Sequence, residues 1–166
     1  MAANENHYIL PLPTFHKPVR LLIVVAPYYR DITDQLIVGA KAVAADCGAE
    51  VEVVEMPGAL EVPTAIAMAE RQAKFDGYVA LGCIIRGETT HYDTVCNDSS
   101  RALSLLGLQG ACIGNGILTV ENRAQADARA EPAGQNKGGA AAAAALHLVA
   151  LSRRWAGQIK GIGFRA

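Results

Sequence analysis

The stretch Arg86-Gly87-Glu88-Thr89-Thr90-His91-Tyr92-Asp93 follows directly on an apolar run from Tyr78 to Ile85. A buried strand that ends this way hands over to a polar turn. His91 brings an imidazole, which exchanges protons near neutral pH. Thr89 brings a hydroxyl beside backbone amides, and Gly87 lets a ligand approach the main chain. The free N–H groups of a helix start attract an anion, and the helix dipole adds to that pull. Gly87 and Thr89 therefore read as a phosphate cradle, with a proton-transfer group at His91. A plainer reading fits the same residues: Thr89 or Thr90 as an N-cap, and His91 as a surface histidine. Both readings stay open on this stretch alone.

Three other places carry candidate groups. Pro57-Gly58-Ala59-Leu60-Glu61 is a Pro-Gly turn that ends in an acid. Glu61 either serves the dipole of the helix it opens or accepts hydrogen bonds from a polyol. Tyr28 and Tyr29 are either ordinary loop aromatics or offer a ring that stacks on a flat heterocycle. Arg129, Asn136 and Lys137 bracket a turn whose one acid is Glu131. Arg129 and Lys137 form either an anion anchor or a solvated helix end. No turn has the His, Cys and carboxylate grouping of a metal site. The cysteines, Cys47, Cys83, Cys96 and Cys112, form no CxxC pair and read as reduced, buried thiols.

The elements that must position these groups alternate. Apolar runs predict strands at 19–26, 51–54, 78–84 and 111–117. Helical spacing predicts helices at 31–45, 58–73, 89–106, 121–130 and 137–155. Pro63 is tolerable early in its helix. This order implies βαβ units. The expected fold class is α/β: a flavodoxin-like three-layer α/β/α sandwich with a four-stranded parallel sheet. The expected organisation is an N-terminal arm at 1–18, one domain at 19–156, and a mobile C-terminal tail at 157–166. His7 to Leu10 in the arm reads as a short edge strand. The alanine-rich tract after Lys137 reads as a closely packed helix. Ligands of open parallel sheets bind beyond the carboxyl ends of the strands. The turns after the first three strands and the end of the fourth, Asn115 to Thr119, all fall there on this reading.

Whole-chain properties narrow the function. A chain of 166 residues suits one core, and 51% hydrophobic content argues against disorder. The net charge of −1, with no basic stripe, argues against nucleic acid as a partner. No apolar run reaches the roughly 18 residues that span a bilayer, so no membrane is expected. The first residues lack the pattern of a signal peptide, and the expected location is cytoplasmic.

Four motifs stand in order: PGALEVP at 57–63, LGCIIRGETTHYD at 81–93, GNGILTVEN at 114–122 and NKGGAAA at 136–142. Together they resemble the 6,7-dimethyl-8-ribityllumazine synthase family, from about Val19 to Trp155. The resemblance implies condensation of 5-amino-6-ribitylaminouracil with 3,4-dihydroxy-2-butanone 4-phosphate. Water and inorganic phosphate leave in this penultimate step of riboflavin synthesis. It implies no metal or organic cofactor, and riboflavin synthase as a partner in the pathway. It assigns Tyr28 to stacking on the pyrimidine, and Ala59, Leu60 and Glu61 to the ribityl chain. Cys83, Ile84 and Ile85 contact the pyrimidine through the backbone. Gly87, Glu88, Thr89 and Arg129 hold phosphate, His91 transfers protons, and Lys137 stands nearby. The implied assembly is a homopentamer with active sites between subunits, in which Asn115 and Arg129 come from the neighbour. The chain departs from the family at two places. Asn115 stands where many members have an aromatic residue. AEPAGQNKG stands where shell-forming members have a Gly- and Lys-rich turn, which favours a free pentamer.

Overall fold

Val, Ile and Leu fill the first strand because both of its faces are covered. In the computed structural model, which describes residues 8–159, β1 spans Val19–Val25 and every residue but Arg20 is buried. The chain continues as α1 (Arg30–Asp46), β2 (Ala49–Glu55), α2 (Glu61–Gln72), β3 (Gly77–Ile85) and α3 (His91–Leu108). It ends with β4 (Ile113–Val120), α4 (Arg123–Ala130) and α5 (Lys137–Ile159). The sheet is parallel throughout, in the order β2-β1-β3-β4. Alternate strand residues feed two cores. Leu21, Ile23, Val79 and Leu81 pack with α1, α4 and α5, while Leu22, Val24, Tyr78 and Ala80 pack with α2 and α3. This is the expected three-layer α/β/α sandwich.

Most elements begin or end within three residues of the sequence expectation, and two of the differences have a clear cause. The fourth strand runs Ile113–Val120, not 111–117, because Leu118 and Val120 stay buried and pair with Cys83 and Ile85. Asn115 therefore lies within the strand, opposite Ala80, and not at its carboxyl end. The last helix continues past Trp155 to Ile159, since Gly157 alone does not stop it. Residues 160–166 of the expected tail lie outside the described residues. In the arm, His7 also lies outside them, and Tyr8 to Leu10 form no strand within this chain. The arm is nonetheless tied down at its end. Arg153 donates to the carbonyls of Lys17 and Pro18 and to Asp76, and its guanidinium lies 5.6 Å from the Phe15 ring centroid.

The Asn136-Lys137-Gly138-Gly139 motif is explained by packing. Asn136 has φ 44°, and its side-chain oxygen accepts from the Gly139 amide at 3.0 Å, which starts α5. A Cβ on Gly138 would fall on the backbone carbonyl of Leu36 in α1. A Cβ on Gly114 would fall on the carbonyl of Ala141 in α5. The missing side chains let α5 lie close to both α1 and β4. Gly138→Ala is expected to lower unfolding free energy by about 3 kcal/mol, since backbone has to move. Gly107→Ala, in α3 with open space around it, is expected to change it by less than about 1 kcal/mol. Denaturant titration of both variants checks the contrast.

Candidate active site

β1 is followed by a crossover to one side of the sheet and β3 by a crossover to the other. Their turns part at the carboxyl edge, which is where open α/β sheets hold ligands. A cleft of about 510 Å³ opens there. The segment after β1 supplies Ala26, Tyr28 and Tyr29. The turn after β2 supplies Pro57, Gly58, Ala59, Leu60 and Glu61. β3 supplies Cys83, Ile84 and Ile85, and the following segment supplies Gly87, Thr89, His91, Tyr92 and Val95.

Each wall has a local reason. Tyr28 is 77% exposed, so a ring face is free for a flat partner. It meets Tyr29 edge-on, with centroids 5.0 Å apart. Arg30 pairs with Glu55 at 2.5 Å, which ties the start of α1 to the end of β2 and frames this turn. That pair raises the guanidinium pKa and lowers that of the carboxyl. On the second wall, Glu61 is the first residue of α2, and a Cβ on Gly58 would come within 2.8 Å of its Oε2. The Pro-Gly turn thus leaves room for the carboxylate to fold back over it. On the third wall, burial pushes the Cys83 thiol up to about 11, so it stays protonated at neutral pH and is no nucleophile.

The start of α3 bears on the capping reading. Thr90 occupies the N-cap position and makes no side-chain cap bond. Thr89 Oγ1 accepts from the His91 amide only at 3.4 Å. Leu60, at the N-cap of α2, makes none either. Two helix starts without firm side-chain caps thus open on one cleft, which favours a negatively charged guest. Thr89 and His91 line the cleft together.

Four residues singled out from the sequence lie away from this cleft. Glu88 is exposed and outside the lining, though it stands between Gly87 and Thr89, which line it, so its backbone stays beside the cleft. Asn115 sits on the β4 edge, where its Oδ1 accepts from the Ile117 amide at 3.0 Å. Arg129 is half-buried on α4, on the α1 face of the sheet, and donates to the Gln125 carbonyl of its own helix at 3.0 Å. Lys137 opens α5 on that same face. Ala26, Tyr92 and Val95 line the cleft without having been singled out for it. The signal for the last two was present: they follow His91 by one and four places, along the start of the same helix. The cysteines are free, though Cys83 alone is fully buried and the other three are half-buried. Among the described residues no cluster of three or more metal-ligating side chains occurs, and no helix is long and apolar enough to cross a membrane.

The sequence comparisons agree with one another. A family model described as 6,7-dimethyl-8-ribityllumazine synthase matches residues 18–153. A protein of that name from Jannaschia sp. (strain CCS1) is 54% identical, over 98% of this chain and 92% of its own. One from Novosphingobium aromaticivorans is 53% identical, over 82% of this chain and 98% of its own. A 6,7-dimethyl-8-ribityllumazine synthase 1 from Rhizobium meliloti is 51% identical, over 83% and 94%. With a match across nearly the whole folded region and relatives above half identity, the chain belongs to the 6,7-dimethyl-8-ribityllumazine synthase family.

Proposed function

We propose that this chain condenses 5-amino-6-ribitylaminouracil with 3,4-dihydroxy-2-butanone 4-phosphate to 6,7-dimethyl-8-ribityllumazine. The observation that carries the reading is the cleft that gathers Tyr28, Glu61, Thr89 and His91 in a chain of this family. An aromatic face, a carboxylate, an open helix start and an imidazole match a flat ring, a polyol, a phosphate and a proton to be moved. The amine attacks the ketone, the carbinolamine loses water, phosphate departs and the ring closes. Each step moves protons, which one imidazole can carry in turn. Tyr28 stacks on the pyrimidine, and Ala59, Leu60 and Glu61 hold the ribityl chain. The backbone of Cys83, Ile84 and Ile85 holds the ring edge. Gly87, Glu88 and Thr89 bind phosphate through amides and the Thr89 hydroxyl. Holding two substrates side by side supplies much of the remaining gain.

Arg129 and Asn115 complete the site from a second copy. Their distance from the cleft within one chain supports this reading, since a departing phosphate needs a fixed cation. Lys137 belongs to the same neighbouring surface. Residues 19–156 are the working domain, and the arm at 1–18 reaches a neighbour. The exposed side chains of Tyr8, Ile9 and Leu10 support such a contact. The assembly is a homopentamer of the cytoplasm, with riboflavin synthase next in the pathway. It does not close into a shell. The turn before α5 supports that restriction, because Glu131 accepts from the amides of Gly134 and Asn136, both at 3.0 Å. Pro132 fixes its own φ and keeps Glu131 extended, with ψ 120°.

Three outcomes are expected. His91→Ala slows lumazine formation roughly ten- to a thousandfold while both substrates still bind. Unchanged turnover after background subtraction removes His91 from the chemistry. Arg129→Ala raises KM for the phosphorylated substrate about ten- to a hundredfold, and that for the pyrimidine much less. Equal effects on both substrates count against the phosphate role. Light scattering after size-exclusion chromatography gives the mass of five chains; a mass of about sixty overturns the open pentamer, and an active monomer overturns the shared site.

A further inference from the structure

Arg86 opens the segment that carries Thr89 and His91, yet the reaction as derived gives it no task. Its backbone amide donates to the Val120 carbonyl at 2.9 Å, continuing the β3–β4 ladder by one residue. Its side chain then reaches three ways. Nε donates to Glu121, just past β4, at 2.7 Å, and a terminal nitrogen donates to Asp93, in the first turn of α3, at 3.3 Å. The guanidinium carbon stands 4.1 Å from the ring centroid of Tyr92, which lines the cleft. We infer that Arg86 is the positioning residue of this site: it closes the segment 86–93 by pairing its two ends, ties it to β4, and so fixes where Thr89, His91 and Tyr92 stand.

Three observations favour positioning over direct phosphate binding. One cation already faces two carboxylates, so the cluster has no positive charge left for an anion. The contacts use Nε, a terminal nitrogen and the guanidinium carbon over a ring, and a planar fork can make them together where an ammonium cannot. The segment also has little else to hold it. A Cβ on Gly87 would meet nothing within 4 Å, and the Thr90 side chain makes no cap bond. Folding gains little from this cluster, since Arg86 is 41% exposed, Asp93 53% and Glu121 56%. Its effect is expected in the geometry of the cleft.

The test rests on the reaction proposed above, so the unaltered protein is assayed first. If it forms no lumazine, that reading fails and the inference falls with it, before any variant is read. If it does, Arg86→Ala and Arg86→Lys are both expected to lower kcat/KM for the phosphorylated substrate about ten- to a hundredfold. Pyrimidine KM should move less than about twofold, and the thermal midpoint by no more than about 4 °C. Failure of lysine to rescue is the mark of shape over charge. Full rescue by Arg86→Lys, or near-normal rates in Arg86→Ala, overturns the inference. Should the Arg86 variants fold poorly, the Asp93→Ala/Glu121→Ala double variant decides. Both of its positions are at the surface, and a loss of about tenfold is expected. Normal kinetics there also overturn it.

Discussion

The pairing of β1 with β3 at the centre of a parallel sheet is the constraint on which the rest depends. β1 sends its crossover toward β2, and β3 sends its crossover toward β4. Their outgoing turns cannot cover the same ground, so the carboxyl edge has a gap between them. Everything that lines the cleft belongs to β3 or to a turn or helix start leaving that edge. The apolar strands beneath are rigid because both faces are buried. Val24, Val25, Val79, Ala80 and Leu81 are sealed completely from solvent. The chemistry thus sits on short turns held by a stiff base, an arrangement suited to orienting two substrates.

A second constraint acts from the other face. α5 must lie close to β4 and α1 to seal the larger core, and it does so through glycine and alanine. Gly138, Gly114 and the alanines at 141, 142 and 145 are contact points of backbone against backbone or methyl. Asn136 starts that helix from a left-handed conformation that few side chains tolerate. The motif NKGGAAA therefore combines two tasks. Lys137 points to function under the shared-site reading, while its neighbours on both sides are fixed by packing.

The sheet and its layers were legible because period and length left few choices. Runs such as VRLLIVVA and YVALGCII can only be buried strands, and the intervening spacing is helical. Most of the cleft was also legible, since a strand end that carries Gly, Thr and His is chemically conspicuous. The misplacement of Asn115 has a physical cause. Gly114 and Gly116 sit where α5 presses on β4, and pairing with Cys83 and Ile85 carries that strand on to Val120. A contact between residues so far apart in the chain leaves no local trace. The role of Arg86 was hidden for the same reason: Asp93 is near in sequence, but Glu121 comes from the far end of β4.

The distribution of cations bears on whether one chain can do the chemistry alone. A phosphate that leaves must leave toward positive charge, and the arginines nearest the strand ends are already engaged. Arg30 is paired with Glu55, Arg86 with Glu121 and Asp93, and Arg123 with Asp31 and Asp127. Transferring any of them to a substrate would leave a carboxylate without its partner. Arg129 is different. Its hydrogen bond goes to a neutral carbonyl on its own helix, so its charge is not neutralised by an acid in these contacts. It also lies on the opposite face of the sheet from α2 and α3. An available cation placed away from its own cleft, and a cleft whose nearby cations are engaged, are complementary halves. Under the proposed shared site, rotation of a second copy into contact would supply what each half lacks.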